Sequence, residues 1–297
     1  MKKILILANS SGGLYDFRND FVLGLLKDYE VYVSIPDEVK TKELTEEGCK
    51  IIKTPINRRG VNPLEDFKLF LAYRELMKEI RPDLVATYTI KPNIYGGMAA
   101  QSRKIPYIET ITGLGGAFDR KGLFLKLIVT LYRIGMKKAE CIFFQNRENR
   151  QIFRDFGIEG KSECLVNGSG VDLIRHTFEP YPMDEKCQFL FVGRVMKERG
   201  IVEFLEAAKK LHSENVEFAI LGYCDEDYQQ QLDDLEKQGV ITQLGFHTEV
   251  HPYLKAASAI VIASFHEGMS NALIEASATG RPVIASRISG CKEAFEE

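Results

Sequence analysis

The chain has 297 residues, 45% hydrophobic and 27% charged, with a formal net charge of −3. That length accommodates two ordinary domains, and the composition excludes a disordered, fibrous or membrane-spanning chain. The six cysteines are scattered, with no C-x-x-C pair, which argues against a zinc site or a disulfide framework and fits a reducing cytoplasm.

The first eight residues, MKKILILA, open like a signal peptide, but the apolar run ends at Asn9 and no cleavage site follows. A buried first strand is the better reading, and no later apolar run is long enough to span a bilayer. Gly12 and Gly13 follow this strand and allow a ligand close to the backbone. They do not form a G-x-G-x-x-G fingerprint, and Asp16 is not at the spacing of a ribose-binding acid, which excludes a nicotinamide site. Further strands are expected at 30–35, 50–55, 83–88, 106–111 and 141–145, with amphipathic helices such as 63–80 and 93–103 between them. Residues 120–138 mix a long apolar run with six basic residues and no acid. This segment is either a buried helix with basic ends or one that lies on a membrane surface.

Residues 178–185 read as a linker. Strands are expected again at 189–192, 217–221, 241–244, 259–263 and 282–285. The alternation predicts an α/β chain of two Rossmann-like domains, 1–178 and 179–297. Each has a parallel sheet with helices on both faces, and a cleft lies between them. Ligands of such sheets sit beyond the carboxyl ends of the strands. Charge divides unevenly: residues 1–178 sum to +6 and residues 179–297 to −9. A basic first half suits an anionic partner. Asp225-Glu226-Asp227 matches D-x-D formally, but its place before a helix reads as charge favouring a helix start, not as a metal site.

The strongest signal follows the strand at 259–263. Glu267 lies in a glycine-containing loop, and Ser270 or Asn271 can cap a helix that contains Glu275 and is stopped by Gly280. Backbone N–H groups of Met269, Ser270 and Asn271 would then form an anion site at a helix N-terminus, suited to a diphosphate. Carboxylates accept hydrogen bonds, so Glu275 matches a ribose diol and Glu267 sugar hydroxyls.

Glu267-Gly268-x6-Glu275, with Ala276-x3-Gly280-x-Pro282-Val283-Ile284-Ala285-Ser286 and Gly290-x2-Glu293, resembles the E-x7-E signature of family-4 retaining glycosyltransferases of the GT-B fold. Phe191-Val192-Gly193-Arg194-x4-Arg199-Gly200 is similar to that family's G-R-x4-K-G loop, with Arg199 where lysine is usual. Asn167-Gly168-Ser169-Gly170-Val171-Asp172 resembles its interdomain N-G-V-D turn. The runs 88–97 and 110–115 look like the branch that builds capsule, exopolysaccharide and lipid-linked glycans. Relatives often carry a histidine where this chain has Thr112, and that histidine's role is not carried over.

The resemblance implies transfer of a hexose or N-acetylhexosamine from a nucleotide sugar, expected to be UDP-linked, with retention of configuration and neither metal nor cofactor. Arg194, Arg199 and Glu267 would serve catalysis. Gly12, Gly13, Gly193, Met269, Ser270, Asn271 and Glu275 would bind the donor. Arg58, Arg59, Lys91, Thr112 and Gly113 are candidates for a polyprenyl-diphosphate-linked or polysaccharide acceptor, although Arg58 and Arg59 read equally as a solvated charge pair. The implied setting is cytoplasmic, on an anionic inner membrane face, with no nucleic-acid partner. Family members continue beyond the Gly290–Glu293 motif, so the second domain is expected to be incomplete at Glu297. The rival readings are a nucleotide-sugar epimerase of the same fold and a non-catalytic nucleotide-sugar-binding protein.

Overall fold

A computed structural model describes residues 1–58, 60, 62–118, 122–183 and 186–295. The chain divides into two compact units, Met1–Ser169 and Gly170–Glu297.

The first unit runs β1 (Lys2–Leu7), α1 (Ser11–Leu26), β2 (Tyr29–Ile35), α2 (Thr41–Glu46), β3 (Lys50–Lys53), α3 (Pro63–Ile80) and β4 (Leu84–Tyr88). A π-helical turn (Pro92–Gly96) leads into α4 (Gly97–Arg103), then β5 (Tyr107–Ile111), α5 (Leu123–Met136), β6 (Cys141–Phe144), α6 (Arg147–Asp155) and β7 (Glu163–Leu165). The strands pair in parallel in the order β3-β2-β1-β4-β5-β6-β7. In a strand successive side chains face opposite sides. Leu5 and Leu7 of β1 therefore join a core with residues of α3, α4 and α5, and Ile4 and Ile6 join a second core with Leu14 and Val22 of α1 and Leu44 of α2. Both faces are covered, as a parallel sheet requires.

The second unit runs β8 (Cys187–Val192), α7 (Ile201–Leu211), β9 (Val216–Leu221), α8 (Gln229–Lys237), β10 (Thr242–Gly245), α9 (His251–Ala256), β11 (Ala259–Ile262), α10 (Asn271–Ala278), β12 (Val283–Ala285) and α11 (Ser289–Lys292). Its parallel sheet has the order β10-β9-β8-β11-β12. Phe191 and Leu190 divide between its two cores just as the residues of β1 do.

Each expected strand is present. The sheet of the first unit also includes β7, a three-residue strand at its edge. The helix expected over 93–103 instead begins with a π-turn. There the buried Asn93 is held by the strand ends: the Thr87 hydroxyl donates to Asn93 Oδ1 at 2.6 Å, and Asn93 Nδ2 donates to the Thr110 carbonyl at 3.0 Å. These bonds compete with ordinary helical winding.

The start of the expected linker is fastened to the second unit. The Glu179 N–H donates to the Thr279 carbonyl at 3.1 Å. Arg281, only 3% exposed, donates to the carbonyls of Leu254, Glu179, Gly280, Pro180 and Lys255 at 2.7–3.2 Å. Two of these acceptors belong to the last turn of α9, where a cation also favours the helix dipole. Arg281→Ala leaves buried carbonyls without donors and should cost about 3 kcal/mol in a urea unfolding titration. Arg281→Lys should recover less than roughly half of that, because an ammonium lacks the planar five-donor fork.

Candidate functional site

In a doubly wound parallel sheet the chain leaves the first strand toward one side and later crosses to the other. Ligands bind in the crevice this reversal leaves at the carboxyl ends. In the second unit the reversal lies between the neighbours β8 and β11. Gly193, Arg194 and Arg199 follow β8, and Glu267 follows β11.

The topology thus brings these residues together. The Arg199 guanidinium forms an ion pair with Glu267 Oε1, and the Ser264 hydroxyl donates to the same oxygen at 3.0 Å. The Glu267 side chain is 10% exposed. Burial, with the like charge of Arg194 second, pulls the Arg199 pKa down from the ordinary arginine value to about 10, so it stays charged at neutral pH. Arg194 is held by Asp225 at 2.6 Å. Each guanidinium has five N–H donors and can keep its carboxylate while offering others to a ligand.

Asp225 was legible only as helix-start charge, and the structure corrects that reading. No acid lies in the first turn of α8. The loops after β8 and β9 continue to pair beyond the sheet: the Val195 N–H donates to the Tyr223 carbonyl at 2.9 Å and the Asp225 N–H to the Val195 carbonyl at 3.1 Å. Asp225 is thereby set beside Arg194, and Glu226 accepts from the Lys197 N–H at 2.8 Å. Among the described residues no group of three or more His, Cys, Asp or Glu side chains could hold a metal ion.

Close packing joins the β8 and β11 loops. The Phe265 N–H donates to the Glu198 carbonyl at 2.9 Å. Gly200, at φ +76°, lies against the Ala263 backbone, where a Cβ would collide. The Gly193 N–H donates to the Leu221 carbonyl at 2.9 Å, which fixes the start of the β8 loop.

The N-terminus of α10 differs in detail from expectation. Ser270 takes the N-cap position, but its side chain makes no cap bond. The Ser270 N–H donates to the Gly290 carbonyl at 3.1 Å, so it is not open to an anion. Met269 and Ser270 are buried. Asn271 Oδ1 is buried without a partner, an acceptor of the kind a ligand donor would satisfy. Glu275 is partly buried in α10, and its backbone carbonyl accepts from Thr279.

In the first unit the reversal lies between β1 and β4. Gly12 and Gly13 are not in a loop there but in the first turn of α1, where Ser10 Oγ caps the Gly13 N–H at 3.3 Å and the Asp37 carboxylate accepts from the Ser11 N–H. Lys91, just after β4, forms a 2.6 Å ion pair with Asp66, whose other oxygen accepts from the Tyr95 hydroxyl at 3.0 Å. An acceptor would compete with that carboxylate for the Lys91 ammonium. Thr112 and Gly113 lie just beyond β5. Arg58 is exposed after β3, at the far edge of the sheet from β5; Arg59 lies outside the described residues.

Residues 3–146 match the family model described as glycosyl transferase 4-like, and residues 186–297 match the one described as glycosyl transferases group 1. The chain belongs to the family-4-like glycosyltransferases. It is 27% identical, over 99% of its length and 82% of the relative's, to the N,N'-diacetylbacillosaminyl-diphospho-undecaprenol alpha-1,3-N-acetylgalactosaminyltransferase of Campylobacter jejuni. It is 23% identical, over 97% and 80% of the two lengths, to the capsular polysaccharide biosynthesis glycosyltransferase CapM of Staphylococcus aureus. Its fold matches that of Anabaena HepE, solved with UDP and glucose (TM-score 0.79, 17% identity, 100% of this chain and 84% of that one). It also matches WaaG, a glycosyltransferase of lipopolysaccharide biosynthesis (TM-score 0.74, 14% identity, 99% and 83%).

This glycosyltransferase depends on Gly290 to place Glu267. A Cβ on Gly290 would come within 2.6–2.8 Å of Glu267 Cβ and its backbone C and O. Gly290→Ala must shift that loop, and should lower transfer by about a hundredfold while far-UV circular dichroism stays at the wild-type signal.

Proposed function

We propose that the second unit binds a UDP-sugar and that the chain transfers its hexose or N-acetylhexosamine to a polyprenyl-diphosphate-linked acceptor, with retention of configuration and without a metal. The observation that carries this reading is the meeting of Arg194, Arg199 and Glu267 at one switch point. The Campylobacter jejuni relative and a further one from Escherichia coli, an alpha-1,3-galactosyltransferase 26% identical over 82% of this chain and 68% of its own length, are both named for diphospho-undecaprenol-linked sugars, which favours that acceptor class. The UDP-bound HepE structures favour the donor.

In this reading Arg194 and Arg199 lie against the donor diphosphate, with Gly193 allowing close approach. As the C1–O bond to phosphate breaks, negative charge grows on the leaving diphosphate and the two guanidiniums meet it. The acceptor hydroxyl attacks C1 from the face the diphosphate leaves, and the departing phosphate oxygen takes its proton. The products are UDP and a glycoside of unchanged configuration. Glu267 accepts from sugar hydroxyls, and its pairing with Arg199 couples sugar position to leaving-group charge. Glu275 accepts from the ribose diol, and the Met269 and Asn271 backbone faces the diphosphate. Gly12 and Gly13 let the first unit approach substrate, and Thr112, Gly113, Lys91 and Arg58 stand toward the acceptor.

The deciding assay offers a panel of nucleotide sugars with a diphosphate-linked lipid acceptor, with and without EDTA, and determines the product anomer. Wild-type protein should transfer from a UDP-sugar with retention and at the same rate in EDTA. Arg199→Ala should lower kcat by about a hundredfold or more, and Glu275→Ala should weaken UDP-sugar binding by roughly tenfold. Inversion, a metal requirement, or epimerised sugar formed without acceptor would reject the reading.

We also propose that the first unit docks on an anionic membrane surface through α5. Among the described residues no helix is long and apolar enough to cross a membrane. One face of α5 is core, with Val129, Tyr132, Gly135 and Met136 buried. The other exposes Leu123, Leu127 and Ile134, with Lys126, Lys137 and Lys138 exposed beside them. Arg120 and Lys121 of the same basic run lie outside the described residues. Apolar residues framed by lysines suit the plane of an anionic interface. The protein should sediment with phosphatidylglycerol vesicles at low salt and be released as salt rises past about 0.3 M. Failure to sediment at low salt sinks this part of the reading.

A further inference from the structure

Arg18 is the cation that the site described so far leaves unused. It lies on α1, and its guanidinium packs at the reversal between β1 and β4 of the first unit. It donates to the Gly13 carbonyl at 3.0 Å and stacks over the Tyr88 ring, 4.8 Å from the centroid. Tyr88, the last residue of β4, is buried, and its register partner on the neighbouring strand is Thr110 of β5. The platform under the guanidinium is therefore fixed by two strand ends.

No ion pair among the described residues involves Arg18. Asp37, the acid docked on the start of α1, is occupied by the Ser11 N–H and hydroxyl and by the Val39 N–H. Burial draws the Arg18 pKa below the ordinary arginine value, because the guanidinium is withdrawn from water. Stacking on one ring and donating to one carbonyl use only part of a five-donor fork. The other basic side chain at this switch point, Lys91, is already met by Asp66.

We propose that Arg18 binds the diphosphate of the acceptor, as the anion-recognising residue of the first unit. The inference rests on the reading of the chain as a transferase that uses a diphosphate-linked acceptor. A planar guanidinium matches phosphate oxygens in pairs, and stacking on Tyr88 sets its plane before the ligand arrives. The acceptor is favoured over the donor because the second unit has its own arginine pair, Arg194 and Arg199, at its own switch point.

The test uses the full chain and two probes in calorimetry, UDP and a short-chain prenyl diphosphate bearing one N-acetylhexosamine. Arg18→Gln should weaken the prenyl probe by roughly tenfold or more, and Arg18→Lys by less, with UDP affinity held at the wild-type value. Kinetics should show the same split, a raised KM for the acceptor and an unchanged KM for the donor. Unchanged affinity for the prenyl probe overturns the proposal, as does a selective loss of UDP affinity, which would assign Arg18 to the donor. A matched loss of both affinities, or of melting temperature together with both, marks a packing role and overturns it too. If Arg18→Gln does not fold, Arg18→Lys carries the same test, because it keeps charge and stem and loses only the fork. If wild-type protein binds UDP but not the prenyl probe, this inference falls and the donor reading stands. If it binds neither, the reading of the whole chain falls with it.

Discussion

Arg199 and Glu267 reach each other because β8 and β11 are parallel neighbours whose carboxyl ends leave the sheet side by side. The rest of the second unit's site follows from that adjacency. Gly200 permits the Ala263 backbone to press against the β8 loop, and Gly290 lets the start of α11 press against Glu267. The Phe265 N–H then fastens the start of the β11 loop to the β8 loop, and the Ser264 hydroxyl braces Glu267 within it. An ion pair withdrawn this far from water adds little net stability, since desolvation offsets attraction. Its physical value is orientation: it fixes one edge of a guanidinium and leaves the other edge its donors.

Asp225 does the same for Arg194, by a different route. Its position is set by the parallel pairing of the β8 and β9 loops beyond the last regular residues of the sheet. Two arginines and two carboxylates nearly cancel in charge, so the site has direction without a large field of its own. In the proposed reaction that balance suits a charge that appears on the leaving group late. Cations already solvated by fixed carboxylates need little rearrangement when it arrives.

The fold was legible in the sequence because its signals are local and redundant. β-branched runs, capped helices such as α3, with Asn62 and Pro63 at its start, and glycine stops each specify their own element. β7 was missed because three residues with one partly buried side chain carry no period. The Glu267–Glu275 run and the Gly193–Gly200 loop were legible as motifs, but their partners were not. Asp225 read as helix charge because what places it beside Arg194 is pairing between loops. Arg281, between a glycine and a proline, carries no signal of its role in the sequence, since five carbonyl acceptors from separate segments leave no trace in spacing. Ser270 was expected to offer its N–H outward, and Gly290 takes it. In each case the missing information is tertiary.

The uneven charge of the two halves gains a physical meaning at this level. Arg194 and Arg199 of the second unit are matched by carboxylates, so its negative total is not a defect in a unit proposed to hold a diphosphate. Binding there depends on oriented donors more than on net field. In the first unit the balance differs. Lys91 is neutralised by Asp66, whereas among the described residues Arg18 is set on an aromatic ring and donates to a carbonyl. An aromatic face stabilises a cation without cancelling its charge. The guanidinium keeps its field and its open donors, while the ring prevents it from swinging out to water. A carboxylate partner would hold the side chain equally well and would repel an incoming phosphate. The choice of a ring over an acid at this point of the sheet is therefore the one that keeps Arg18 both rigid and receptive to an anion.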